Sequence, residues 1–233
     1  MFHLKAVGMT VVFAAVASAQ IAGLCNTGQT HVTIEGCTGQ LVPPNPVGGG
    51  PDRDGNWQLA YPYPTYLANI NSPCELTNAF PPAFVDTPNA EWLPNSGSTA
   101  SEWITPPDGE GTFPPGWYVY RTRFHIPAVL PNGIVPTALT IIGRLTSDNA
   151  TYGIYLQSPV HSSNCSLVAG QFFPINPSAP ELSDFQQWWP FRFRNELGIA
   201  AGQDAFLYFT VQNYGDVSSA TGFRLEFTSS GFY

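Results

Sequence analysis

Along most of the chain apolar and polar residues alternate with a period of two. The clearest case is GWYVYRTRFHIP, residues 116–127. Tyr118, Tyr120, Thr122, Phe124 and Ile126 fall on one face, and Trp117, Val119, Arg121, Arg123 and His125 on the other. A period of two with a polar second face predicts a half-buried β-strand. Further strands are predicted at 138–145 (ALTIIGRL), 151–157 (TYGIYLQ), 205–213 (AFLYFTVQN) and 222–228 (GFRLEFT), with shorter ones at 56–61, 102–104 and 190–197. In 222–228, Phe223, Leu225 and Phe227 should face inward and Arg224 and Glu226 outward. Apolar residues rarely recur at helical spacing, and Pro or Gly interrupts most windows of helical length. Long connections at 41–55, 105–116 and 172–187 separate the strands. The pattern predicts one all-β domain over 20–233, an antiparallel two-sheet sandwich and most simply a jelly roll, with the Pro/Gly-rich loop 41–55 inside it.

Composition changes the picture in three ways. The 43% hydrophobic and 14% aromatic content is enough for one real core, so the 22 Gly and 23 Pro read as turns, not disorder. Residues 1–19 have the form of a signal peptide: His3 and Lys5, an apolar run to Val16, then Ala17-Ser18-Ala19 as a cleavage site. A secreted, extracellular or cell-surface protein is therefore expected. Removing that segment removes the only lysine and leaves seven arginines against sixteen acids. Such a chain suits neither nucleic acid, whose phosphates need cationic side chains, nor insertion into an anionic membrane. Neutral polymers and Ca²⁺ remain compatible partners.

Four cysteines, Cys25, Cys37, Cys74 and Cys165, suggest disulfides in an exported chain. Cys25 and Cys37 bracket a short loop, which would leave Cys74 for Cys165, although three connectivities are open.

Candidate chemistry lies in four places. Asp148 and Asn149 sit on the polar crest of TIIGRLTSDNATYGIYL, where they serve as turn residues or as hydroxyl-binding groups on a loop rim. Asp52, Asp54 and Asn56 place oxygens at alternate positions around Gly55, which resembles the first part of a calcium loop. Trp103, Trp117, Trp188 and Trp189 are candidates for stacking on a sugar face. Arg121 and Arg123 share one strand face with His125 and suit an acidic sugar. No G-x-S-x-G or zinc-ligand cluster occurs, and sixteen acids would supply a carboxyl pair by chance, so catalysis is not expected.

Several phrases also resemble a known module. GWYVYRTRFHIP is similar to the G-x-Y-x-Y-R-T-x-F strand of galactose-binding-like jelly rolls. ALTIIGRLTSDNATYGIYLQS resembles their paired strands around an Asp-Asn turn, and GIAAGQDAFLYFTVQN and GFRLEFT resemble the strands that follow. IAGLCNTG, DRDGNWQL and SEWITP look like the opening of this module in secreted bacterial proteins, where the phrases run NTG, D-x-x-W and S-x-W-I. Here Gln157-Ser158 replaces the usual Asn-Gly, and Asp204 replaces an asparagine. The resemblance implies a jelly roll, often with a structural calcium. The resulting expectation is a secreted, non-catalytic module that binds a glycan or cell-surface polymer through loop-rim residues. The alternatives are a structural or adhesive surface protein that self-associates and, more remotely, a glycan-active hydrolase.

Overall fold

The computed structural model describes residues 21–33, 36–42, 53–60, 80–87, 90–95, 100–106, 112–157, 166–167, 171–172, 184–195 and 200–233. The expected signal peptide, Asp52, Cys74, Cys165 and most of the loop 41–55 lie outside the described residues. Thirteen strands are described: β1 Gln29–Thr33, β2 Gly36–Leu41, β3 Arg53–Ala60, β4 Pro82–Val85, β5 Ile104–Thr105, β6 Gly116–His125, β7 Leu139–Asp148, β8 Ala150–Gln157, β9 Ser166–Leu167, β10 Gln171–Phe172, β11 Trp189–Asn195, β12 Asp204–Asn213 and β13 Gly222–Phe232. No described helix is long and apolar enough to cross a membrane.

The strands pair antiparallel. β1 and β2 form a hairpin, closed by the Cys25–Cys37 disulfide. The other eleven form one sheet in the order β10-β11-β7-β13-β5-β4-β3-β6-β12-β8-β9. The sheet curls so that its two halves bury their inner faces against each other. Phe209 of β12 meets Phe191 of β11 at 6.0 Å and Phe223 of β13 at 5.1 Å, and Tyr120 of β6 stacks on Phe223 at 5.0 Å. Trp57 of β3 fills the centre, fully buried, with its indole N–H donating to the Cys25 carbonyl at 3.0 Å. The inner face predicted for β6 is this core: Tyr118, Tyr120, Thr122, Phe124 and Ile126 are all buried.

The outer faces depart from simple alternation. Val119 is buried too, among Ala60, Phe80, Tyr155 and Tyr208 with Phe206 packed alongside, and Trp117 is buried with its ring edge-on to Tyr152 at 4.7 Å. Arg224 and Glu226, expected to face solvent, are instead buried. The Arg224 guanidinium donates to Ser101 Oγ and to the carbonyls of Ser101 and Pro94 at 2.9, 3.0 and 3.2 Å. Ser101 Oγ donates in turn to Glu226 at 2.8 Å, and Arg144 Nε closes the network on Glu226 at 2.7 Å. Alternation reports strand geometry. Here the segments 92–95 and 100–102 cover what would have been the polar face.

β13 lacks a full-length partner on one side, since β5 pairs with it only at Phe223. The segment before β1 substitutes. Asn26 Oδ1 accepts the Phe227 N–H at 2.7 Å, and Thr27 Oγ1 accepts the Leu225 N–H at 3.0 Å. Gly28 then passes so close to Glu102 that a Cβ there would lie 2.6 Å from the Glu102 Cβ, and its φ of +76° independently favours glycine.

Candidate functional site

The crest is a corner. β7 ends at Asp148, paired with Gly222 of β13, and β8 begins at Ala150, paired with Gln212 of β12. Asn149 alone carries the chain from one half of the sheet to the other. Its Oδ1 accepts the Tyr214 N–H at 2.6 Å. Asp148 is buried, and its carboxylate accepts the Trp92 indole N–H at 2.8 Å. Burial pushes its pKa up to about 6 against that hydrogen bond, with Glu91 adding to the rise.

Trp103 has no exposed surface. It packs on Trp92 at 4.3 Å and donates to the Leu93 carbonyl at 2.8 Å, so no sugar can reach its face here. Trp188 is half-buried against the Arg144 and Arg224 guanidiniums, 4.4 and 5.0 Å from its ring. Trp189, also half-buried, packs on the main core. Residues 92–95 explain much of this arrangement: Trp92 bonds Asp148, Leu93 receives Trp103, and Leu93 and Pro94 receive the arginine beneath Trp188.

The candidate metal ligands are also committed. Asp54 is buried at 1% exposure, with Oδ2 accepting the Gly28 N–H at 2.7 Å and Oδ1 the Asn56 and Trp57 N–H groups at 2.8 and 3.1 Å. Asn56 donates to the Gln29 carbonyl at 2.7 Å. A carboxylate ringed by donors is arranged as an acceptor for N–H groups, and a calcium ion would have to displace them. Burial nevertheless pushes Asp54 up to about 7 against those three bonds, with nearby Glu102 adding to the rise.

Arg121 and Arg123 come together in a groove. The covered part of β6 ends at Arg121, and beyond it the outer face of β3, β6 and β12 is open. A groove of about 380 Å³ runs there, lined by Asn56, Gln58, Arg121, Arg123, His125 and Asp204 among others. Strand register sets the arrangement: Gln58 and Tyr208 flank Arg121, Phe206 lies opposite Arg123, and Asp204 opposite His125.

Arg121 is the fixed element. Its guanidinium lies over the Phe80 and Phe206 rings at 3.7 and 4.7 Å, and its Nε donates to Gln58 at 2.7 Å. Burial lowers its pKa, while Tyr208 opposes that shift. Arg123 is the free-standing one, with its side chain 58% exposed. It pairs with Asp204 at 2.9 Å, and the other Asp204 oxygen lies 2.9 Å from His125 Nδ1. Exposed pairs of this kind contribute only about 0–1 kcal/mol, so they separate readily for another partner.

Periodicity put Arg121, Arg123 and His125 on one face, but Gln58, Asp204 and Phe206 were missed as groove residues. Only strand pairing brings them in. The one signal available was that Asp204 and Phe206 alternate at the head of a predicted strand. Set against protein-family models, curated proteins and solved structures, the chain matches none of them.

Proposed function

We propose that this chain is an exported, non-catalytic binding module of galactose-binding-like jelly-roll type, which holds a glycan or cell-surface polymer. The carrying observation is the groove on the outer face of β3, β6 and β12. An open groove crossing several strands suits an extended polymer. Its amide, guanidinium, imidazole and carboxylate groups supply both donors and acceptors for hydroxyls. The loop-rim residues first considered for this role are engaged elsewhere, so the reading moves from the rim to the sheet face. The curled antiparallel sheet and the order of the sequence phrases support the jelly-roll assignment.

Affinity electrophoresis against neutral and charged polysaccharides tests the reading. At least one polymer should retard the protein, and the Arg123→Ala/Asp204→Ala double variant should migrate freely while melting within a degree or two of the parent. Absence of retardation by every polymer overturns it.

A second reading, a structural or adhesive protein that self-associates, is favoured by one observation. Val129, Ile134 and Val135 are each more than half exposed in a charge-free loop. Tyr233, also exposed, is bonded to the Thr137 and Ala138 N–H groups beside it. Light scattering decides: assembly that rises with concentration and is abolished by Val135→Asp supports this reading, and a monomer at high concentration removes it.

A further inference from the structure

We infer that the groove selects a polymer whose sugars carry carboxylates, a uronate-type polysaccharide, with Arg123 as the residue that reads the charge. This rests on the groove being a polymer site and adds the ligand class. The chain as a whole is acidic, with sixteen acids against eight bases. Yet the groove lining holds two guanidiniums against one carboxylate. The positive balance is therefore local and opposite in sign to the molecule. Two other arginines, Arg144 and Arg224, are tied into the Glu226 network and do not compete for a ligand.

The two groove arginines divide the work. Arg121 is held between two rings and by Gln58, so its charge is a permanent feature of the floor. In a partly desolvated site such a charge acts more strongly than in water. Arg123 keeps most of its surface exposed and has an exchangeable partner. Asp204 already spans Arg123 and His125, so it can stay on His125 when a ligand carboxylate takes the guanidinium. A guanidinium grips a carboxylate through two parallel N–H bonds, which a neutral hydroxymethyl or ester group cannot reproduce. Gln58, whose Oε1 accepts from Arg121, sets an amide beside the arginines for neighbouring hydroxyls.

The test is calorimetric titration of the folded protein with galacturonate, mannuronate and glucuronate oligomers, each paired with its own methyl ester. Esterification removes the charge and keeps the sugar chain. At least one acid oligomer should bind tenfold or more tightly than its ester, and this preference should shrink as salt rises. Arg123→Ala should remove most of the preference, leaving only what Arg121 contributes, without moving the melting temperature, whereas Arg123→Lys should retain more of it. Equal or tighter binding of the esters, or a preference untouched by Arg123→Ala, overturns the charge reading and leaves the groove as a neutral-glycan site. Failure of all acids, all esters and neutral oligomers to bind overturns the groove reading as well.

Discussion

The backbone N–H of Gly28 donates to the Asp54 carboxylate at 2.7 Å, joining residues 26 positions apart. The contact ties the disulfide-closed β1–β2 hairpin to β3. It also shows what the short phrases at the start of the chain do. Asn26 and Thr27 cap the N–H groups of β13, Asp54 gathers three N–H groups including that of Trp57, and Ser101 sits between Arg224 and Glu226. Each phrase is a piece of one interior clamp.

Replacing Asp54 with Ala should therefore destabilise the fold strongly. It strands the buried N–H groups of Gly28 and Trp57 and the half-buried one of Asn56, at roughly 1–3 kcal/mol for each buried one left without an acceptor. A loss of about 3 kcal/mol or more in urea unfolding is expected, with no added loss from chelator. A chelator-sensitive melting temperature in the parent would instead show that a metal shares this carboxylate.

Stability should rise as pH falls from 8 to 5. Burial is the leading cause that raises Asp54 and Glu102 to about 7 and Asp148 to about 6, above ordinary carboxyl values. The folded state then binds more protons than the unfolded chain in this window. The resulting stabilisation is complete below about pH 4 and is lost as pH climbs through 6 to 7. Unfolding free energies from denaturant titrations at pH 5, 6.5 and 8 should fall in that order. Glu102→Gln should flatten the slope, since one Glu102 carboxylate oxygen is buried with no hydrogen-bond partner. A midpoint that increases with pH would contradict the assignment.

Glu226→Ala should cost about 1–3 kcal/mol, because it strips Ser101 Oγ of its acceptor and Arg144 of its ion-pair partner. Arg224, 1% exposed, keeps its Ser101 and carbonyl acceptors but loses the nearby charge that offsets its burial. Equilibrium unfolding measures this directly, and a change below 1 kcal/mol would mean that the network relaxes without Glu226.

Trp103→Ala and Arg123→Ala should behave in opposite ways. The first empties a fully buried site and should cost about 3–5 kcal/mol. Its remaining folded fraction should bind polysaccharide as the parent does. The second should leave stability within about 0.5 kcal/mol, because its ion pair is exposed, and should change only binding. Paired melting and titration experiments separate the two.

Much of the fold was legible from alternation. The strands at β6, β7, β8, β12 and β13 lie where the pattern placed them, and Tyr118, Tyr120, Phe124, Phe223, Leu225 and Phe227 are core residues as expected. The β1–β2 hairpin, β4, β9 and β10 were not. They are short, and their stretches carry no clean apolar rhythm. Of the site residues, Arg121 and Arg123 stay together in the groove. Asp148, Asn149, Asp54, Asn56, Trp103, Trp188 and Trp189 are bonded or packed within the fold.

What the sequence determined by itself was the period of two, and with it an all-β chain and its apolar faces, because side-chain direction along a strand is a local property. What only tertiary structure decided was which polar and aromatic groups remain free to act. Trp92 reaches Asp148 across 56 positions and Ser101 meets Arg224 across 123, so their engagement is written in no local pattern. The groove exists for the same reason: Gln58, Arg123 and Asp204 come from three separate strands, and the register of the folded sheet makes them neighbours.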